Sequence, residues 1–356
     1  MHHFKAGGRS LLAVVGLLIC QQTAAAEWFP LQVERWEPAF NTESQHRTET
    51  YTALAKAAQP WKVCVSLPHM KDSYWTAVTY GLIEEATRLG VALRIYEAGG
   101  YDKLDVQRKQ LDTCVAEGAK AIIIGAISKD GLNDLVERYV ANQHVVVDLI
   151  NGMGSPKLTA RVAADFFEMG QTVGDLIKSR VQGRPARVVW LPGPKGAGWA
   201  AAGDAGFMQA VAGSSISVVD SLWGDTGLAA QTKLLTQFLD RNPDIDYVVG
   251  NAVAAEAAVQ ELRRRGLESR VKIVSYYFSS NVYRGIERDR ILAAPSDVPT
   301  LQSRLALDVA VKALEGKPIP RHISAPLQLI ERSRLDRIRL RDSLAPDGFR
   351  PIFSVN

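Results

Sequence analysis

Short apolar runs alternate with longer amphipathic stretches through most of this chain, and the alternation is completed once and then begins again. In the first round Trp61–Leu67, Val91–Glu97, Ala121–Gly125 and Val145–Leu149 read as strands. Tyr74–Leu89, Leu104–Glu117 and Leu132–Ala141 read as helices, the first two ending at Gly90 and Gly118. In the second round Ala160–Ala163, Arg187–Leu191, Ser217–Trp223, Tyr247–Val249 and Lys272–Ser275 are the strands. Helices over Phe166–Arg180, Ala200–Ala212, Leu228–Asp240, Ala254–Arg265 and Tyr283–Arg288 separate them, and Ile291–Ala294 leads into a last helix, Leu301–Leu314. Apolar strands joined by helical crossovers form parallel sheets covered on both faces. Two rounds therefore predict an α/β protein of two similar doubly wound lobes, with a ligand cleft outside the carboxyl ends of the strands where the lobes face each other.

The chain divides accordingly. Residues 1–26 read as a signal peptide and 27–60 as an N-terminal lead with no clean period, lying on the surface of the lobes. Residues 61–163 and 297–323 form lobe 1, residues 164–296 and 324–332 lobe 2, and 333–356 a C-terminal tail. In the first segment Lys5 and Arg9 precede the apolar run Leu11–Cys20, which is succeeded by Gln21-Gln22-Thr23 and Ala24-Ala25-Ala26. A basic start, an apolar centre and small residues at a cleavage point are the parts of a secretory leader. An apolar run of about ten residues is half of the ~20 that a spanning helix needs. Ile19 stands before Cys20 where a lipoprotein would require a small residue. The mature chain is thus expected in the periplasm, with the 42 basic residues reduced to 40 by loss of Lys5 and Arg9, against 38 acidic ones.

That balance lacks the dense basic loading of a nucleic-acid binder. Three cysteines are too few for a disulfide scaffold or a four-thiolate zinc site, and the six histidines show no paired metal-ligand spacing, so no metal or cofactor is implied. Export puts Cys64 and Cys114 in an oxidising space. A bridge between them would close a loop of about fifty residues and contribute about 4 kcal/mol on the chain-entropy estimate; two buried free thiols are the alternative.

No catalytic motif stands out. Gly193-Pro194-Lys195-Gly196-Ala197-Gly198 comes after a strand but fits neither the P-loop nor the dinucleotide fingerprint, and it reads as a turn that lets a helix start near the cleft. There is no Gly-x-Ser-x-Gly elbow, no His-Glu-x-x-His and no spacing that supports a Ser-His-Asp set. The chain is not expected to be an enzyme. The strand ends instead collect aromatic residues: Asp72-Ser73-Tyr74-Trp75, Ala98-Gly99-Gly100-Tyr101, Trp223-Gly224-Asp225, Gly250-Asn251 and Tyr276-Tyr277, with Asp297 where the chain recrosses between lobes. Many rings and few carboxylates suit a small, partly cationic solute held by cation–π contacts.

The two-round repeat behind a signal peptide resembles the type 1 periplasmic binding proteins, the ribose-binding and LacI effector-domain class. Lys71-Asp72-Ser73-Tyr74-Trp75, Glu97-Ala98-Gly99-Gly100-Tyr101, Ala254-Ala255-Glu256-Ala257-Ala258, Val282-Tyr283-Arg284-Gly285 and Gly348-Phe349-Arg350-Pro351 more narrowly resemble the TorT family of periplasmic sensors. The resemblance runs from about Trp61 to the end, and Cys64 and Cys114 fall where that family carries cysteines. It implies a protein that binds trimethylamine N-oxide and regulates the periplasmic sensor domain of a membrane histidine kinase, TorS, in a two-component system for trimethylamine N-oxide respiration. Contact with the membrane would come only through the kinase. It also implies ligand contact for Tyr74, Trp75, Tyr101, Asp72, Tyr277, Asp297, Asn251 and Trp223; Trp199 is implied less directly because the glycine loop departs from the family pattern.

The other class to weigh is a sugar-binding component of an ABC transporter. Sugar sites of this fold combine an aromatic sandwich with Arg and Asp that grip hydroxyls. Here the helix after the glycine loop opens with Trp199-Ala200-Ala201-Ala202, without an arginine, which favours the sensor. A DNA-binding repressor is excluded by the leader and by the lack of a helix-turn-helix head. The tail adds Arg332, Arg334, Arg337, Arg339 and Arg341, read as a solvated helix or as a kinase-facing surface.

Overall fold

The computed structural model of the protein describes residues 1–3, 28–41 and 46–356; the expected leader, with Lys5, Arg9, Cys20 and the cleavage point after Ala26, lies outside the described residues apart from 1–3. The described part of the expected surface lead, residues 27–60, instead contributes two strands, β1 (Leu31–Trp36) and β2 (His46–Tyr51), paired antiparallel. The first βα round comprises β3 (Lys62–Leu67), α1 (Ser73–Leu89), β4 (Ala92–Glu97), α2 (Leu104–Ala116), β5 (Ala121–Ile124), α3 (Asn133–Ala141), β6 (Val145–Ile150) and β7 (Ala160–Ala163). The second is α4 (Phe166–Val181), β8 (Ala186–Leu191), α5 (Gly198–Val211), β9 (Ile216–Ser221), α6 (Leu228–Arg241), β10 (Tyr247–Gly250), α7 (Ala252–Arg264), β11 (Lys272–Ser275) and α8 (Ser280–Glu287). The chain closes with β12 (Ala293–Ser296), α9 (Pro299–Leu314), β13 (His322–Ser324), β14 (Gln328–Glu331), a 3-10 turn (Arg332–Arg337) and β15 (Ser354–Val355).

Nine strands in the order β15-β4-β3-β5-β6-β7-β13-β1-β2 form one sheet, and four in the order β11-β10-β8-β9 form the other; β12 and β14 pair between them. The second sheet is parallel throughout. The first is parallel only from β4 to β13, because β1, β2 and β15 add antiparallel margins. Where the sequence pattern predicts purely parallel sheets, these margins are the difference: β1 carries Val33 and Trp36 inward between polar neighbours, too short an alternation to stand out. The tail likewise returns to the first sheet, where the Ile95 amide donates to the Phe353 carbonyl at 2.9 Å and Phe349 sets its ring edge against Tyr80.

The hairpin is fixed by buried polar contacts as well as by strand pairing. The Trp28 indole donates to Glu85 at 2.7 Å, the Tyr51 hydroxyl to Asp308 at 2.5 Å, and the Leu54 amide to the other Asp308 oxygen at 2.8 Å. Arg88 and Lys312 supply the countercharge for these two buried carboxylates. Removing one partner of such a set would strand a buried charge, which costs about 3–5 kcal/mol.

In the first sheet α1 presents Trp75, Val78, Leu82, Ala86 and Leu89 to the core at helical spacing, and it ends at Gly90 in the left-handed conformation, φ 73°. The helix pair α4/α5 crosses at unusually close range: a Cβ on Gly206 would lie 1.9 Å from the Phe167 carbonyl oxygen, and one on Gly170 2.2 Å from that of Gly203. Cys64 on β3 and Cys114 on α2 form a disulfide with Cα atoms 5.7 Å apart, joining strand and helix of the first round. No helix among the described residues is long and apolar enough to cross a membrane.

Candidate functional site

Both sheets point the carboxyl ends of their strands at one small cleft. Its walls are His69, Asp72, Tyr74, Trp75, Tyr101 and Asn151 from the first sheet and Trp199, Thr226 and Tyr277 from the second. The space is small, with about 10 Å³ open to the centre of a water molecule, roughly one water's room.

Each residue arrives by a local device. The turn after β3 delivers His69 and ends at Asp72, whose Oδ1 accepts from the amides of Tyr74 and Trp75 at 3.1 and 3.2 Å and so caps α1. That cap aims the first two aromatic residues of α1 into the space. Trp75 fits because residue 125, beyond β5, is glycine: a Cβ there would lie 2.8 Å from the Trp75 ring. Trp199 opens α5, and its ring rests on Gly193, φ 131°, where a Cβ would come within 2.5 Å of it. The glycine loop is thus the bed of an indole rather than a phosphate cradle.

Six ring side chains close a circuit around the space. Centroid separations run Trp75–His69 6.4 Å, His69–Tyr101 5.4 Å, Tyr101–Trp199 5.9 Å, Trp199–Tyr277 5.9 Å, Tyr277–Tyr74 5.2 Å and Tyr74–Trp75 5.7 Å. Most meet at steep angles, the edge-to-face geometry that ring quadrupoles prefer. Four rings come from the first βα round and two from the second.

The polar groups are disposed unevenly. The Tyr74 hydroxyl donates to Asp297 Oδ2 at 2.6 Å, and Asn151 Nδ2 donates to the Tyr101 hydroxyl at 3.0 Å. His69 Nδ1 accepts the Lys71 amide at 3.3 Å, so Nε2 carries the proton and donates to Thr226 Oγ1 of the opposite wall at 3.0 Å. Burial lowers its pKa to about 4, which keeps this histidine neutral. Beside it Lys71 Nζ meets Asp225 Oδ2 at 3.1 Å, a second link between the walls. Burial pushes Asp72 up to about 6, against the pull of the two amides it caps. It also pushes Asp297 up to about 6, against the Tyr74 hydrogen bond. Trp199 Nε1 is buried with no hydrogen-bond partner among the described residues, although the Tyr101 hydroxyl is its neighbour. Asp297 Oδ1 is likewise unpartnered.

Of the residues expected at the cleft, the fold brings Asp72, Tyr74, Trp75, Tyr101 and Tyr277 together as lining. Asp297 stands behind Tyr74 and holds its hydroxyl. Two others lie elsewhere. Asn251 is fully buried and outside the lining, its Oδ1 capping α7 through the Ala254 amide at 3.0 Å and its Nδ2 bonded to the Leu191 carbonyl at 3.1 Å. Trp223 comes after β9, the edge strand of the second sheet, and the chain turns at Gly224, whose amide bonds to the Gly193 carbonyl; Thr226, past that turn, is the residue that reaches the space. The sequence pattern does not single out His69, Asn151 or Thr226. All three lie just past strand carboxyl ends, the one signal available for them. Among the described residues no cluster of side chains has the makings of a metal site.

A family model described as a periplasmic binding protein domain matches residues 63–318. Periplasmic protein TorT of Escherichia coli (strain K12) is 39% identical over 319 residues, covering 90% of this chain and 90% of that protein. Among solved structures, an ABC transporter solute binding protein from Bradyrhizobium sp. BTAi1 with bound Bis-Tris is 42% identical with a TM-score of 0.80, over 93% of this chain and 100% of that one. A chain of the TorS sensor domain–TorT complex, solved both without ligand and in the presence of TMAO, is 34% identical with a TM-score of 0.75, over 82% of this chain and 99% of that one.

Proposed function

This chain belongs to the periplasmic binding protein domain family, and on that premise we propose that it is a periplasmic sensor which binds trimethylamine N-oxide within the aromatic circuit and regulates a TorS-type sensor histidine kinase. The observation that carries the reading is the closed ring of six side chains around a space with one unsatisfied donor, Trp199 Nε1. Three methyl groups on a positively polarised nitrogen present a cationic apolar surface, which aromatic faces attract by about 0.5–2 kcal/mol each. The N-oxide oxygen is a strong acceptor that Trp199 Nε1–H can satisfy. The lining holds no arginine or lysine to grip several hydroxyls, and a space with room for about one water in this arrangement must widen between the walls to admit the solute.

Binding here proceeds without chemistry. His69 is neutral and has both ring nitrogens engaged, and Asp72 is occupied as a helix cap. Solute held by both walls favours the closed arrangement of the lobes over an open one, to the extent that it binds the closed form better. The kinase sensor domain would read that difference. A second reading, solute delivery to an ABC transporter, draws on the Bradyrhizobium protein.

Titration calorimetry of the purified chain with trimethylamine N-oxide, choline, betaine and ribose tests the assignment. Saturable heat with trimethylamine N-oxide and none with ribose is expected. A ribose signal with none from the amine oxide would replace the sensor by the transporter reading.

A further inference from the structure

Away from the cleft, a groove of about 440 Å³ runs between α7 and α8 at the β11 edge of the second sheet. Its floor is apolar, built from Val259, Leu262, Val271 and Ile291. Its rim carries Arg263, Arg284, Arg288 and Arg290 against Glu256 and Glu268. All four arginines are exposed. Arg284 bonds to Asn281 Oδ1, and among the described residues the side chains of Arg263, Arg288 and Arg290 have no hydrogen-bond or ion-pair partner. Elsewhere on this surface basic side chains are matched: Arg264 and Arg265 by Glu261, Arg270 by Asp244. The 3-10 turn of the tail packs against α8 and brings Arg332 within 3.8 Å of Asp289, beside the same face. In a chain of nearly balanced charge, three guanidinium groups without an ion-pair partner rim this one apolar groove.

We infer that this groove docks an acidic segment of the kinase sensor domain, an apolar side chain seated on the floor and flanking carboxylates on the rim arginines. This rests on the partner assigned above. The charge argues for the occupant: guanidinium groups pair readily with carboxylates, and a patch of one sign steers an oppositely charged partner. The floor supplies the apolar burial that rim charges lack.

The test uses the purified chain and the TorS-type sensor domain from the same genome, with binding measured by biolayer interferometry over a salt series. The unmodified chain should bind less tightly as salt rises. The double variant Arg263→Glu/Arg288→Glu should bind at least about tenfold more weakly and lose most of that salt dependence. Its melting temperature and its calorimetric affinity for trimethylamine N-oxide should match those of the parent. Lys109→Glu, on the exposed face of α2, is the control and should leave binding unchanged. Unimpaired binding by the double variant overturns this inference alone, whereas no binding by the unmodified chain overturns the partner reading with it. Loss of self-association or of binding to phosphatidylglycerol vesicles, with sensor-domain binding intact, would give the groove to another occupant and overturn the inference equally.

Discussion

The two walls of the aromatic space are built differently. The first-sheet wall is internally satisfied: Asp72 caps α1, Tyr74 is held by Asp297, Tyr101 by Asn151, and Trp75 lies against Gly125 in the main core. The second-sheet wall sends Thr226 across to His69 and leaves Trp199 Nε1 without a partner among the described residues. An unmet buried donor disfavours the empty state and rewards a ligand that meets it. Rings of both walls belong to the same core, so the contrast is polar: one wall is internally satisfied, and the other carries the group that discriminates among solutes.

Replacing Trp75 with Ala puts that contrast under the greatest strain. Because Trp75 is 3% exposed in the core of the first sheet, Trp75→Ala should lower stability by about 3–5 kcal/mol. Trimethylamine N-oxide binding should weaken by well over about tenfold with the loss of one ring face. Urea unfolding with calorimetry checks both, and normal stability with weak binding would show that this ring serves binding alone. Trp199→Phe keeps a ring but removes Nε1–H. Affinity for trimethylamine N-oxide should fall about tenfold or more, the worth of a hydrogen bond to a charged acceptor. Trp199 is 3% exposed in the same core as Trp75, so the smaller ring should also cost the empty protein some stability, and lost stability with unchanged affinity would make Trp199 structural alone.

A third prediction concerns pH. Burial raises Asp297 from 3.8 to about 6, so the folded chain keeps this proton over a range where the unfolded chain has lost it. Folding is then progressively disfavoured as pH rises from 3.8 to about 6, and the loss persists above that. Asp297→Asn, which keeps a partner for Tyr74, should gain stability relative to the parent as pH rises from about 4 to about 7. Melting curves across that range read the difference, and a constant difference would mean that Asp297 does not titrate there. The smallest effect belongs to the Lys71–Asp225 link. Both side chains are at least a third exposed, and Lys71→Ala should change solute affinity by less than about fivefold, within the ~1 kcal/mol typical of surface pairs, and not at all at high salt. A larger loss would show that this pair, rather than the rings, holds the walls together.

Much of this is legible in the residues themselves. The spacing of strands and helices depends on neighbours in the chain, so the doubly wound architecture and the placing of the site at strand ends can be read directly. Tyr74 and Trp75 are legible because one capped turn fixes both. Trp223 and Asn251 mislead because each also comes after a strand, and nothing local tells an edge-strand turn or a buried helix cap from a cleft residue.

From its order of residues alone, the chain determined two βα rounds, the aromatic character of their loops and the pairing partners available to its cysteines. Tertiary structure alone decided that β1 and β2 extend the first sheet, that Cys64 and Cys114 are bonded, and that His69 and Trp199 complete a ring of six. The physical reason is range. Strand periods and helix caps are set by a few adjacent residues, whereas contact between rings from two sheets depends on how those sheets lie against each other, which packing across the whole molecule settles.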